Sequence, residues 1–184
     1  MNYAIFQFIN GFAGHHSILD RVMIFIALYS PIIYGMLMVI QWFIGGDDGK
    51  KVSMDEFFAA VIALSANFII SRFYFEPRPF VSHKVNLLVK HPSDASFPSD
   101  HLSGGSAIAF TQLKGNKLII GAIMMVLTIL LLIARVYVGV HYPVDVVAGF
   151  VIGFLSSKLV KYLKGIFDPI ENHILKIWHR FIKI

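Results

Sequence analysis

Cysteine is missing from this chain, and charge is scarce. Without thiols there is no disulfide framework and no thiolate metal site, and the redox compartment stays open. Only 15% of the 184 residues are charged, where a soluble domain carries roughly a quarter. Together with 57% hydrophobic residues and a mean hydropathy of +0.70, this excludes an ordinary soluble enzyme and indicates an integral membrane protein. The first twenty residues lack both a basic start and a small-residue cleavage site, so no signal peptide is expected. Repeats and low-complexity tracts are lacking too. One membrane-embedded domain over 1–184 is expected.

What the chain has in abundance is apolar runs. Ile5, Phe8, Ile9 and Phe12 recur at helical spacing opposite Gln7, Asn10 and Gly11. That run is too short to span and reads as an interfacial helix within 1–16. Ser17 with Asp20 resembles a capping box and opens a first span over about Ile18–Ile44, with Pro31 expected to kink it. Residues 45–56 (GGDDGKKVSMDE) read as a polar loop, Phe57–Phe75 as a second span, and 76–98, with four prolines, as irregular. The third run starts at Phe97-Pro98-Ser99-Asp100-His101 and ends at Leu113, before a Lys114-Gly115-Asn116-Lys117 turn. At ~1.5 Å per residue it is about 22 Å long, which places His101 below the membrane surface. Spans four and five cover about Leu118–Val138 and Pro143–Val160, and Gly149 with Gly153 forms a helix-packing pair in the last.

The spans form a transmembrane core over 17–163. Asp168-Pro169 resembles a helix start, and Phe167, Ile170, Ile174, Ile177, Trp178 and Phe181 line one face against Lys176, Arg180 and Lys183. This tail, 165–184, reads as a basic amphipathic helix on an anionic leaflet; the alternative is a helix packed on the bundle's end. The expected fold class is an all-α polytopic membrane helix bundle with about five transmembrane helices and interfacial amphipathic helices at both ends.

Orientation follows from the loops. Lys50, Lys51, Lys114, Lys117, Lys158, Lys161, Lys164, Lys176, Arg180 and Lys183, ten of the sixteen basic residues, fall on one side. The positive-inside rule makes that side, and the C-terminus, cytoplasmic. Residues 76–100 and 135–143 then face outward.

Three polar clusters converge on that outer face: Glu76-Pro77-Arg78-Pro79-Phe80, Pro98-Ser99-Asp100-His101, and Arg135 through Asp145. Ionisable side chains at membrane depth are costly, which makes each a functional candidate. Ser99 or Asp100 can cap the third helix, whose first amides form an anion site beside His101. Arg78 and Arg135 can clamp phosphate oxygens with their planar forks. Asp145, one turn beyond His141, can accept its imidazole N–H and leave the other nitrogen as nucleophile. Glu76 is read first as an ion-pair partner of Arg72 or Arg78, with proton tuning or a substrate contact as alternatives.

These residues resemble the type-2 phosphatidic acid phosphatase superfamily, whose pattern is Lys-x6-Arg-Pro, Pro-Ser-Gly-His and Ser-Arg-x5-His-x3-Asp. Here stand Arg78-Pro79, Pro98-Ser99-Asp100-His101 and Arg135-x5-His141-x3-Asp145. Ser71 occupies the lysine position with Arg72 adjacent, Asp100 replaces the glycine, and Ala134 the serine. Within the family the chain is most similar to bacitracin-resistance-type undecaprenyl-diphosphate phosphatases. The resemblance implies a plasma-membrane hydrolase that needs no metal or cofactor and recycles the cell-wall carrier lipid of peptidoglycan synthesis. It implies attack by His141, oriented by Asp145, to give a phosphohistidine, with His101 as acid and then base. Arg78, Arg135, Ser99 and the amides of Asp100 and His101 would hold the phosphate, with Ser71, Arg72 and Glu76 as possible accessories. The expected partners are an isoprenoid lipid diphosphate and membrane lipids, with no nucleic acid and no obligate protein. Phosphatidylglycerol phosphate or phosphatidic acid is the alternative substrate, and an anion transporter the remote alternative.

Overall fold

In lipid every backbone N–H and C=O must be satisfied within the segment, so the long apolar runs fold as helices. The computed structural model describes residues 1–113 and 118–181. The expected turn at 114–117 and Lys183 lie outside the described residues. Among the described residues the helices are α1 (Asn2–Asn10), α2 (Ser17–Ile44), α3 (Gly46–Phe73), α4 (Pro79–Ser82), α5 (Asp100–Gln112), α6 (Leu118–Tyr137), α7 (Pro143–Tyr162) and α8 (Lys164–Phe181). No strand occurs among them; an isolated bridge joins Pro77 to Ala95.

Four of these helices, α2, α3, α6 and α7, are long and apolar enough to cross a membrane. The remaining anticipated span is α5, whose 13 residues extend only about 20 Å. Nine of those residues are buried, so α5 is wrapped by its neighbours rather than by lipid. It packs chiefly on α7 and α3. Small residues make this possible. A Cβ on Gly149 would meet Ser99 O at 2.6 Å, and one on Gly153 would meet Ser103 O at 2.5 Å, so α5 and α7 run backbone to backbone.

Several local expectations change in the folded chain. The polar stretch 45–56 is not a loop, because α3 begins at Gly46. Asp47 and Asp48 in its first turn complement the helix dipole, and Lys50, Ser53, Met54 and Glu56 are buried by packing. The Ser17/Asp20 capping box does not form: His16 is the N-cap, and Asp20 Oδ1 instead accepts from Gly14 N (3.1 Å) and Tyr137 Oη (2.7 Å). Helix α8 starts before Asp168 and carries Pro169 inside it. It also docks on the bundle, with Trp178 against Trp42 and Phe43 and with Phe167 stacked on Phe58. Lys164 Nζ ties it to Asp55 of α3 (2.8 Å) and is held within α8 by Glu171 (3.0 Å). Ile166, Ile170, Ile177 and Phe181 stay exposed, so the tail both packs on the bundle's end and presents an apolar face.

Candidate active site

The backbone-close packing of α5 on α7 brings two helix N-termini side by side. Ser99 N donates to Asp145 O across them at 3.1 Å. The orphan N–H groups of α5 and the residues leading into α7 therefore share one small volume. His141 sits there, 2% exposed, in the turn between α6 and α7.

Three groups decide how the His141 ring is held. Arg78 Nη1 lies 3.1 Å from Nε2 and 2.9 Å from Val140 O. A guanidinium can only donate, so Nε2 accepts and the ring proton resides on Nδ1. That Nδ1 faces Asp145 Oδ2 at 3.5 Å and Ser96 Oγ at 3.4 Å. Ser96 Oγ also donates to Asp145 Oδ2, while Tyr142 N donates to the same oxygen at 2.8 Å. Asp145 is thus anchored from two sides and its charge is aimed at the imidazole. Burial first, then the charges of Arg135 and Arg78, hold the His141 imidazole well below the ordinary histidine range. The ring is neutral at pH 7, with a lone pair on Nε2.

The arginines play unequal parts. Arg78, at the N-cap of α4, is almost fully engaged: Nε donates to Asp94 Oδ1 at 2.8 Å and Nη2 to Ala95 O at 3.1 Å. Arg135, at the end of α6 and 1% exposed, makes a single hydrogen bond among the described residues, Nη1 to Ala27 O at 3.3 Å. Among the described residues its Nε and Nη2 have no hydrogen-bond partner, nor has the buried Oγ of Ser99. Buried donors without acceptors are costly. Two unmet nitrogens of a cation and an unmet hydroxyl, beside the free amides of a helix start, make a site for an anion.

His101 occupies the first turn of α5, half-buried, within range of the charges of Arg135 and Arg78. It helps to line an apolar groove of about 280 Å³ together with Tyr34, Leu64, Gly104 and Ile108. Asp100 turns its side chain away, accepting from Asn67 Nδ2 at 2.8 Å, so that only its backbone faces the site. Ser71 Oγ donates back to Phe68 O, and Arg72 lies over the Phe68 ring. Glu76 pairs with neither arginine: Oε2 accepts from Tyr74 Oη at 2.7 Å, because Asp94 has taken Arg78.

Sequence reasoning missed Ser96, Asp94 and His91. All three come from the irregular 83–99 segment, where no periodicity marks a position. The Pro77–Ala95 bridge, with Ser96 N donating to Glu76 O at 2.8 Å, brings them in.

The turn that carries His141 is fastened from outside by α1. Gly139, at φ +89°, lets it reverse sharply. Buried Asn10 donates through Nδ2 to Tyr137 O (2.8 Å) and Asn86 O (2.9 Å), and its Oδ1 accepts from Asn86 N (2.9 Å). Phe6 packs on Tyr142, and Asn2 Oδ1 accepts from Val144 N at 3.1 Å. An Asn10→Ala change leaves these backbone groups unpaired and costs about 2 kcal/mol of stability. A lowered thermal midpoint in detergent, with kcat reduced more than KM is raised, is the expected result; an unchanged midpoint would show that the fastening carries no energy.

Comparison with known proteins identifies the family. Residues 54–166 match the PAP2 superfamily. The chain is 35% identical to the undecaprenyl-diphosphatase BcrC of Bacillus subtilis, covering 99% of this chain and 94% of that one. It is 32% identical to the bacitracin transport permease protein BcrC of Bacillus licheniformis, over 87% of this chain and 79% of that one. The crystal structure of Aquifex aeolicus LpxE superposes with a TM-score of 0.75 at 26% identity, covering 88% of this chain and 94% of that one. The chain belongs to the PAP2 superfamily and is a multi-pass membrane hydrolase, a lipid phosphatase.

Proposed function

We propose that the chain hydrolyses undecaprenyl diphosphate to undecaprenyl phosphate and inorganic phosphate at the outer face of the plasma membrane. The observation that carries the chemistry is the juxtaposition of His141, with its lone pair on Nε2, and the unmet donors of Arg135 and Ser99. The near full-length likeness to a protein named undecaprenyl-diphosphatase supports the substrate. The loop charges support the outward orientation.

The reaction runs in two displacements. The Nε2 lone pair turns from Arg78 Nη1 to the terminal phosphorus, and the bond from that phosphorus to the bridging oxygen breaks. His101, protonated once the bound phosphate offsets the charge of the arginines, gives that proton to the leaving lipid phosphate. Asp145, backed by Ser96, stabilises the positive charge that develops on the His141 ring. Arg135, Arg78, Ser99 Oγ and the first amides of α5 take up the charge spread over the three equatorial oxygens. Water then attacks the phosphohistidine, His101 accepts its proton, and His141 is regenerated. The groove beside His101 gives the first part of an apolar tail a place to lie. Consumption of the carrier-lipid diphosphate is the basis of the bacitracin-resistance role.

The test is phosphate release by the purified protein in detergent, with a chelator present. Undecaprenyl diphosphate, phosphatidylglycerol phosphate and phosphatidic acid are offered at equal concentration. Fast release from the prenyl diphosphate is the expected result. Preference for either glycerophospholipid would keep the chemistry and replace the substrate. The name of the Bacillus licheniformis relative makes a transport arm worthwhile: labelled anion entering sealed vesicles without hydrolysis would overturn the enzymatic reading.

A further inference from the structure

Beside the nucleophile stands an imidazole that the scheme above does not use. His91 lies in the segment between α4 and α5, and its ring meets that of His141 edge to face with centroids 6.3 Å apart. Its side chain is 18% exposed, so it borders both the site and solvent. One edge is already committed. Nδ1 is 3.1 Å from Pro92 O, a pure acceptor, so the ring proton of the neutral form is on Nδ1. The same Nδ1 is 3.6 Å from Asp94 Oδ1, the oxygen that also accepts from Arg78 Nε. Among the described residues nothing pairs with Nε2.

We propose that His91 is a third histidine of the phosphate site, a binding residue whose Nε2 donates to an oxygen of the bound phosphate after taking a proton from solvent. This rests on the reading of the site as a phosphate site. The groups that act on the ring are Arg78, Arg135, Asp94, His101 and His141. In the free protein burial and the two arginines hold His91 below its ordinary value, against the Pro92 hydrogen bond and the weaker pull of Asp94, and the ring is neutral. Asp94 stays ionised: burial works to raise its carboxyl, but the Arg78 hydrogen bond and charge outweigh it. A phosphate dianion among the arginines cancels their field. The imidazole then lies between two anions, Asp94 on the Nδ1 side and phosphate on the Nε2 side, and its protonated form is favoured.

The sign follows from linkage. Anion binding raises the His91 pKa, so a proton is taken up on binding. Affinity therefore increases as pH falls between the bound and free values, and that gain is lost above the bound value. His91 so favours ligands that present a full dianion to the mouth of the site, as a terminal diphosphate group does.

Competitive inhibition by sulfate isolates the effect, because sulfate is a dianion at every pH used. Inhibition constants are measured from pH 6 to 8.5 at fixed ionic strength for the wild type, His91→Gln and His91→Asn. Gln places an amide N–H near the Nε2 position, and Asn places one near Nδ1. In the wild type the inhibition constant should fall about five- to tenfold as the pH drops by two units. His91→Gln should hold at least the wild-type high-pH affinity at every pH and lose much of that slope, while His91→Asn should lose the slope and gain nothing over the wild-type high-pH affinity. Equal slopes in all three proteins would overturn the proposal. So would full rescue by Asn alone, since His91 would then serve only to hold Pro92. Sulfate that competes with none of them would count against the phosphate site itself.

Discussion

His141→Ala is expected to lower kcat by on the order of a thousandfold or more, since removing a nucleophile that acts as one unit with its partners removes the pathway. The loss should not be one of folding. His141 is small enough that its deletion leaves Asp145 bonded to Ser96 Oγ and Tyr142 N, and leaves Arg78 bonded to Asp94, Val140 O and Ala95 O. A substrate labelled on its terminal phosphate sharpens the test. Alkaline quench of the wild type in the first turnovers should trap label on the protein, and acid should release it, as a phosphoramidate requires. The alanine variant should carry none. Label or turnover retained in that variant would falsify His141 as the nucleophile and point to direct attack by water.

Arg135→Met should separate activity from stability. The arginine is among the largest fully buried side chains, and two of its three nitrogens have no partner among the described residues. A buried cation in that state is held by the rest of the fold at a cost, with Arg78 as a like charge nearby. Methionine keeps much of the volume and removes the charge. The thermal midpoint in detergent is therefore expected to hold or rise, by about 1–3 kcal/mol of stability. Turnover should fall in the same variant, with kcat/KM down by about 100- to 1,000-fold, the scale for losing a donor aimed at developing charge. A lower midpoint with preserved turnover would make Arg135 a structural residue and leave the phosphate to Arg78 and the α5 amides.

These two variants contrast because Arg78 and Arg135 differ in what they touch. Both look like phosphate clamps in the sequence. In the fold Arg78 spends its fork on Asp94, two carbonyls and the His141 ring, so part of its task is to hold that ring. Arg135 keeps its fork open. No spacing rule distinguishes the two cases, because the difference lies in which carbonyls a distant loop delivers.

The chain's order of apolar runs was enough to place most helices, since the need to satisfy the backbone in lipid acts locally. The spacing of Arg135, His141 and Asp145, and of Ser99 and His101, was legible for the same reason: each set lies within a turn or two of chain. Tertiary structure decided the rest. Residues 45–56 look polar, yet packing by α8 and α2 makes them helical, because Lys50, Ser53 and Glu56 gain burial there that no local pattern shows. Asp20 left its expected cap for Tyr137, 117 residues away. Ser96, Asp94 and His91 reached the site only because a bridge to Pro77 folds an irregular segment over it. Covalent neighbours set what each residue can do; contacts far apart in the chain set which of those possibilities is realised, because a buried polar group must take whichever partner the fold brings within reach.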